Sequence, residues 1–255
     1  MQKKSPHEEF VLKGGNTDAV VFVHGIGGSP IQFRQLAEFM FGMGYDCAAL
    51  LLPGHGSDGS AFSRTQKGAW KDHITKFINH IATEYHHIYL VGHSLGELLC
   101  LEYATNHPVA GLVLINTPMA IKISLKQLSI NLHVALAAPD RDNEILAAYR
   151  SGTGITGGCK WYEYPLMPRP FIYLLRQMRN TAKLLGNVRT RSLIVQSGRD
   201  ETVRQKSARL LQTGLVYGNP QELKLMNSYH SYFPTEDQQT LQKTLFRFVK
   251  ECSNA

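Results

Sequence analysis

The sequence of 255 residues lacks any long apolar run. A membrane-spanning helix needs roughly 18 to 20 uninterrupted apolar residues, so stable insertion into a membrane is not expected. The first ten residues, MQKKSPHEEF, hold two lysines with no apolar segment after them, which is unlike a secretory signal. We therefore predict a cytoplasmic location. Hydrophobic residues make up 43% of the chain and charged residues 18%, a balance typical of globular proteins and not of disordered ones.

Cysteine is scarce, and its spacing argues against the common uses of the thiol. The chain holds no CxxC pair and no cysteine spacing typical of metal ligands. Isolated cysteines of this kind are typical of unpaired thiols in a reducing compartment. We therefore predict neither a disulfide framework nor a cysteine metal site from the four cysteines, Cys47, Cys100, Cys159 and Cys252.

Dense blocks of one charge are also absent. The 27 Lys and Arg residues outnumber the 20 Asp and Glu residues, which gives a formal net charge of +7, but the basic residues are spread along the chain. No aromatic stripe is interleaved with them, so nucleic-acid binding is not expected. A basic surface can attract anionic lipid or substrate, although such a charge more often serves only solubility.

Short apolar runs alternate along the chain with segments of helical period. Continuous apolar runs predict strands that are buried on both faces, as in a parallel sheet flanked by helices. Ser29 followed by Pro30 fits the start of one helix, with the serine as N-cap. Residues 68–85 place five apolar side chains on one helical face: Trp70, Ile74, Phe77, Ile78 and Ile81. The first four apolar runs are 19–25, 46–56, 88–91 and 111–116.

The alternation pauses between about Pro118 and Val188 and then returns. Strand-like and helix-like segments follow in the order RSLIVQSGRD, RQKSARLLQTGL, QELKLMN and TLQKTLFRFVKE. We predict one α/β core domain built from residues 1–117 and 187–255. Residues 118–186 are predicted to form an inserted cap that packs on the core.

The segment Gly92-His93-Ser94-Leu95-Gly96 stands where an apolar run ends and a helical period begins. A serine at a sharp strand-to-helix turn forms a nucleophile elbow, with its hydroxyl exposed at the positive end of the helix. Small flanking residues relieve the crowding of such a turn. The motif alone is weak, and its position between a predicted strand and a predicted helix strengthens it. The alternative is a serine N-cap with two tolerated glycines.

Candidates for the other catalytic groups follow later strands, in the chain order Ser, Asp, His. Asp200 follows the run SLIVQSG, and His230 lies in the loop after ELKLM and is the only one of the 11 histidines beyond Asp200. Glu201 is the close competitor for the acid. We expect structural hydrogen bonds for two histidines that are nearer to Ser94 in sequence, His55 and His93. The poorer acid candidates are Asp140, Asp142 and Asp237.

The segment HGIGG, residues 24–28, closes the first strong strand. Its backbone N–H groups, with Ile26 as the best candidate, can pair with the N–H of Leu95 to form an oxyanion hole. The alternative is a glycine loop without a catalytic role.

Five segments carry a resemblance to a known family: VFVHGIGGSP, LLPGHGSD, LVGHSLGE, LIVQSGRDETV and SYHSYF. In this order, over essentially the whole chain, they resemble the α/β-hydrolases, and within them the bacterial carboxylesterase and monoacylglycerol lipase group. The resemblance implies that Ser94 attacks, His230 is the base and Asp200 orients it. It also implies an oxyanion hole of Ile26 and Leu95, a cap over an acyl pocket, and no metal or organic cofactor.

Two positions depart from that family's pattern. Glu97 stands three residues after the candidate nucleophile, where glycine or alanine is usual, and Tyr229 precedes the candidate base, where glycine is frequent.

We predict hydrolysis of short-to-medium acyl esters, a small-molecule ester as partner and a homodimer, with the cap segment 161–175 lining an apolar acyl pocket. The alternatives are an aromatic-ester (feruloyl-type) esterase, a thioesterase, or a small-molecule receptor with slow turnover.

Overall fold

The computed structural model describes residues 7–122, 144–158 and 160–254. In these ranges a seven-stranded sheet has the order β1-β3-β2-β5-β6-β8-β9, and β4 and β7 form a small second sheet. The strands are β1 (Phe10–Leu12), β2 (Asp18–Val23), β3 (Asp46–Leu50), β4 (Ser57–Asp58), β5 (His87–His93), β6 (Gly111–Ile115), β7 (Ile155–Gly157), β8 (Ser192–Ser197) and β9 (Gln221–Leu225). The large sheet is parallel except for β1, which pairs antiparallel with β3 at one edge.

Helices flank the large sheet on both faces. They are α1 (Arg34–Gly42), α2 (Gly59–Ser63), α3 (Ala69–Ile81), α4 (Leu95–Ala104), α5 (Glu144–Gly152), α6 (Pro168–Leu184), α7 (Lys206–Gly214) and α8 (Thr235–Ser253). The prediction of a mostly parallel sheet flanked by helices is confirmed. Short 3-10 helices span Pro30–Phe33, Trp161–Leu166 and Leu185–Asn187.

The side chains of β5 show how the core divides. Ile88 and Leu90 belong to the apolar cluster under α3, α4 and α7, whereas Tyr89 and Val91 belong to the cluster under α1 and α8. Both faces of the central strands are therefore buried, which is why their apolar runs are continuous. Each fully buried aliphatic side chain contributes about 1.5–3 kcal/mol to stability.

Helix α4 is buried almost all round, because it lies between the sheet and α6. Nine of its ten residues are buried. On the side facing α6, the hydroxyl of Thr181 donates to the carbonyl of Leu98 at 3.4 Å. A helix without a polar face is typical of a position inside a core.

Parts of the predicted cap lie outside the described residues, including Asp140, Asp142 and Cys159. Its described parts contain α5, β7 and α6, and β7 pairs with β4 of the core. The other three cysteines are buried and unpaired, and burial raises the pKa of the Cys47 thiol to about 12. Among the described helices, none combines the length and the apolar character that crossing a membrane requires.

Candidate active site

Ser94 lies at the sharp turn where β5 ends and α4 begins. Its backbone has φ 55° and ψ −115°, a strained conformation for a residue with a side chain. The flanking glycines are required by space. A Cβ on Gly92 would lie 2.6 Å from the backbone N of Glu97, and a Cβ on Gly96 would lie 2.1 Å from the carbonyl O of Val23. The absence of a side chain at Gly92 therefore lets α4 start close to β5, and its absence at Gly96 lets α4 approach the end of β2.

Asp200 and His230 meet at the same carboxyl edge of the sheet, after β8 and β9. The Nδ1 of His230 lies 2.9 Å from Oδ2 of Asp200. The other carboxylate oxygen, Oδ1, accepts the backbone N–H groups of Thr202 at 2.8 Å and Val203 at 2.7 Å. Asp200 is only 2% exposed and His230 8%. The carboxylate is thus fixed by three hydrogen bonds, one of which orients the imidazole.

The two side chains shift each other's pKa in opposite directions. Burial alone would raise the pKa of Asp200, but the charge of His230 and the three hydrogen bonds outweigh it and lower that pKa. Burial alone would lower the pKa of His230, but the Asp200 charge and hydrogen bond, with the Glu201 charge, raise it. The pair therefore favours a carboxylate beside a ring that readily takes a proton.

The competing acids make hydrogen bonds to groups other than the His230 ring. Glu201 is buried beside the pair, but its Oε2 accepts the backbone N–H of His230 at 3.2 Å. Its Oε1 accepts the hydroxyl of Tyr149 on α5. Asp237 accepts from the backbone N–H of Asn227 at 2.9 Å and from the hydroxyl of Ser228 at 2.7 Å. Of the described acids, Asp200 is the one that meets the His230 ring.

The loop that carries His230 is tied to the serine turn. The ring of His93 lies 4.8 Å from the ring of His230, centroid to centroid, and burial lowers the His93 pKa to about 3. Asn116, at φ 58° just after β6, donates to the carbonyl of His230 at 2.9 Å and to the hydroxyl of Ser197 at 3.0 Å. Our sequence reasoning missed Asn116; a polar residue directly after a buried strand was the available signal. The hydroxyl of Ser94 makes no hydrogen bond with the described residues.

The glycine loop after β2 runs against the serine turn. A Cβ on Gly25 would lie 3.0 Å from Cβ of Ser94. The loop turns through a hydrogen bond from the Gly28 N–H to the Gly25 carbonyl at 3.1 Å. In the described part of the chain, the N–H groups of Ile26 and Leu95 donate to no acceptor. Neither N–H is therefore taken up by another backbone acceptor of the described residues.

Glu97 and Tyr229, the two residues that depart from the family's pattern, lie in different environments. Glu97 is fully buried behind the serine turn, where the Thr117 hydroxyl donates to its Oε2. Burial raises its pKa well above the ordinary value, and the Thr117 hydrogen bond offsets only part of that effect, so the site favours the protonated carboxyl. Tyr229 is half-buried, and its N–H donates to the carbonyl of Tyr232 at 2.8 Å.

Comparison with known proteins assigns the family. The family model described as "Alpha/beta hydrolase family" matches residues 20–241. A thermostable monoacylglycerol lipase of Bacillus sp. (strain H-257) is 27% identical over 95% of this chain and 94% of its own length. A carboxylesterase of Bacillus subtilis (strain 168) is 31% identical over 44% of this chain and 46% of its own length.

A solved structure from work on two metagenome-derived lipolytic enzymes gives the same fold. It has a TM-score of 0.74 at 22% identity and covers 96% of this chain and 98% of its own. The names of the sequence relatives support the prediction of a carboxylic ester hydrolase. The match of the family model over most of the chain decides the assignment: this chain belongs to the alpha/beta hydrolase family.

Proposed function

We propose that this chain hydrolyses carboxylic esters of short-to-medium acyl chains through a covalent acyl-serine intermediate. Ser94 is the nucleophile, His230 the general base and Asp200 the residue that orients the base. The observation that carries the proposal is the 2.9 Å contact between His230 Nδ1 and Asp200 Oδ2 beside the strained Ser94 turn. It leaves Nε2 of His230 as the nitrogen that can take a proton.

The chemistry follows from these positions. A serine hydroxyl is a weak nucleophile until a base removes its proton during attack on the ester carbonyl. Nε2 of His230 accepts that proton, and Asp200 stabilises the resulting imidazolium. The carbonyl oxygen becomes an oxyanion, for which the free N–H groups of Ile26 and Leu95 are the donors. His230 then gives the proton to the leaving alcohol. In the second half, water attacks the acyl-serine while Nε2 of His230 takes its proton, and the proton passes to Ser94 Oγ as the acid leaves.

The apolar cluster that contains Leu95 and Leu98 supports an acyl-binding region on its side of the sheet. Several half-buried side chains pack against the cluster that contains Leu95 and Leu98: Ile26, Met119, Ile155, Met167 and Met178. A buried methylene contributes about 0.8 kcal/mol to binding. In the segment expected to line the pocket, Phe171, Ile172 and Leu175 are 51%, 46% and 42% exposed. These three side chains are therefore open to solvent.

The cap assignment of residues 118–186 is part of the proposal. It is supported by α6, which covers α4, and by the hydroxyl of Tyr149 on α5, which donates to Glu201 beside the proposed base. A monoacylglycerol or a simple alkyl ester is the substrate class that the relatives' names support. The cytoplasmic location and the homodimer stay predictions from the sequence.

Active-site labelling tests the nucleophile. A fluorophosphonate should modify one serine per chain, at Ser94, and Ser94→Ala should abolish labelling and lower kcat at least ~10³-fold. Ser151→Ala is the matched control, because Ser151 is exposed on α5. Labelling of another serine with Ser94 unmodified would overturn the mechanism.

A panel of esters tests the substrate class. It should include p-nitrophenyl esters, monoacylglycerols, hydroxycinnamoyl esters and acyl thioesters, measured under multiple turnover. We expect the highest kcat/KM on alkyl esters. Preference for hydroxycinnamoyl esters or for thioesters would instead support one of the two alternative hydrolases, and a single slow turnover would support a receptor.

A further inference from the structure

Gly27, the residue after the proposed oxyanion donor, is held through both its backbone N–H and its backbone carbonyl. The N–H of Gly27, the residue after Ile26, donates to Nε2 of His55 at 3.1 Å. The carbonyl of Gly27 accepts the N–H of Gly154 at 2.9 Å. His55 belongs to the turn after β3, and Gly154 belongs to the segment that we propose as the cap. Gly27 itself has φ +70°, a conformation that glycine adopts without strain.

The ring of His55 is fixed as a hydrogen-bond acceptor. Its Nδ1 lies 3.2 Å from the carbonyl of Leu52 and 3.3 Å from that of Pro53, so Nδ1 carries the proton and Nε2 accepts. Burial lowers the pKa of His55 to about 4, which keeps the ring neutral at neutral pH. The rings of Phe62 and Trp70 pack against it at 5.1 and 5.8 Å. The ring is therefore held in one orientation, in which the lone pair of Nε2 accepts the N–H of Gly27.

A second histidine makes the matching contact in the opposite direction. The N–H of Leu52 donates to Nε2 of His24 at 3.0 Å, and Nδ1 of His24 lies 2.8 Å from the carbonyl of Gly25. The two imidazole rings meet edge to face at 4.8 Å. Each loop thus contributes a histidine that accepts an N–H from the other loop, which fixes the glycine loop on the turn after β3.

Gly154 completes the contact from the cap side. Its carbonyl accepts the N–H of Gly56 at 2.6 Å, so this residue bridges both loops. A Cβ on Gly154 would lie 2.1 Å from the carbonyl O of Gly28. No side chain fits at this position without displacing the loop that carries Ile26.

We propose that His55 is a positioning residue for the oxyanion hole, and that the cap completes the hole through Gly154. The inference rests on the proposed function. His55 fixes the Gly27 peptide, and with it the direction of the Ile26 N–H, without touching the substrate. Oxyanion donors act only when they lie about 2.7–3.1 Å from the developing charge, and a misplacement of 1 Å can cost about 100-fold in rate.

Substitutions of His55 separate positioning from folding. His55→Leu removes the acceptor, whereas His55→Gln offers a carbonyl oxygen near the position of Nε2. For His55→Leu we expect kcat on p-nitrophenyl butyrate to fall about 10- to 100-fold with little change in KM. The Ki of an alkyl trifluoromethyl ketone, whose adduct places an oxyanion in the hole, should rise in the same proportion. His55→Gln should recover most of both losses.

His107→Leu is the matched control, because His107 also uses Nδ1 for a backbone carbonyl, that of Tyr103 at 3.1 Å. It stacks on the Tyr103 ring at the end of α4, and its kcat and Ki should equal those of the wild type. The inference would be overturned if His55→Leu weakened substrate binding as much as it lowered kcat and if His55→Gln restored neither.

Gly154→Ala tests the cap side and decides the question even if His55→Leu does not fold. We expect kcat to fall and the ketone Ki to rise while KM is kept. Gly158→Ala is its control in the same segment, because a Cβ there meets open space. Wild-type kcat and Ki in folded Gly154→Ala would overturn the inference while leaving ester hydrolysis intact. A wild type that hydrolyses no ester would instead refute the proposed function itself, and the inference with it.

Discussion

The Nε2 of His93 lies 2.8 Å from the backbone carbonyl oxygen of His230, so the residue before the proposed nucleophile donates to the residue that is the proposed base. The same carbonyl accepts the side-chain amide of Asn116 at 2.9 Å. Two donors from neighbouring strands therefore fix the backbone of the loop that carries His230, here called the base loop. They do so independently of the bond between Asp200 and the imidazole ring.

Removal of these donors should be non-additive. We expect His93→Ala or Asn116→Ala alone to lower the free energy of unfolding, because each removes a buried side chain, but to lower kcat by less than 10-fold, because one donor to the carbonyl stays. The double variant should lose more stability and more activity than the two single variants together, since the buried carbonyl of His230 then has no donor. Urea unfolding and kcat of the four proteins measure this coupling, and strict additivity would mean that the two donors act independently.

Substitution of the two adjacent acids should have very different effects. Asp200→Asn removes the charge that orients and stabilises the protonated His230, and kcat should fall about 10⁴-fold. Glu201→Gln should keep most of the activity, because Glu201 accepts the backbone N–H of His230 and the hydroxyl of Tyr149 instead of meeting the ring. Steady-state kinetics of both variants decides the assignment, and the reverse pattern would move the acid to Glu201.

The acid limb of the pH–rate profile should report His230. Its pKa is raised in the folded protein, chiefly by Asp200 acting against the effect of burial, so kcat/KM should fall with acid at a pH above 6.5. In Asp200→Asn the limb should move to lower pH. The protonated pair also stabilises the fold below the unfolded pKa, and this contribution is lost as pH rises through the folded pKa. A limb that stays in place in Asp200→Asn would exclude His230 as its source.

Stability should depend on pH through Glu97. Burial raises its pKa, so its stability contribution is present below the unfolded pKa and is lost as pH rises from there toward the folded pKa. Glu97→Gln keeps an acceptor for Thr117 and cannot ionise, so it should gain stability over the wild type at pH 8 to 9. Glu102→Gln, on the same helix but in contact with Lys71, is the control. Urea unfolding at pH 5 and 9 measures the free energy of unfolding at each pH. The same change between the two pH values in the wild type, Glu97→Gln and Glu102→Gln would refute the prediction.

Activity should rise with acyl length before it falls. Each methylene buried beside the serine turn contributes about 0.8 kcal/mol, so kcat/KM for p-nitrophenyl esters should increase from C2 to a medium length. Emulsified triglycerides should be poor substrates. A monotonic fall from C2 would show a small or blocked pocket and would leave only a short-chain esterase.

Elements that depend on the local pattern of apolar residues could be predicted from the sequence. The buried strands β2, β3, β5, β6 and β8 were predicted from continuous apolar runs, and α3 from the spacing of its buried face. Three-residue β1 was not predicted, since so short an edge strand has no readable period. Ser29 does precede a helical start at Pro30, but its hydroxyl contacts Nδ1 of His7 at 2.9 Å instead of capping, and the first turn is a 3-10 helix.

Contacts between segments that are distant along the chain could not be predicted from the sequence. His55 was expected to make a structural hydrogen bond, but its partner, the N–H of Gly27, could not be predicted because the pairing depends on how two loops meet. The same holds for Glu201, whose partners come from α5 and from the base loop. The candidate residues Ser94, Asp200 and His230 were predictable because each follows a recognisable strand. The further partners were not, namely the N–H groups of Thr202 and Val203 for Asp200 and the side chains of His93 and Asn116 for the carbonyl of His230.

The burial of α4 on nearly every side has a consequence for how the chain leaves the ribosome. When α4 has been synthesised, the helix that covers its outer face, α6, is still many residues away. The nascent chain therefore carries an uncovered apolar helix until residues 168–184 emerge, and incomplete chains of this kind are prone to association. For the same reason, we expect a shortened chain without residues 118–186, the segment proposed as the cap, to expose α4 and to be less stable than the full chain.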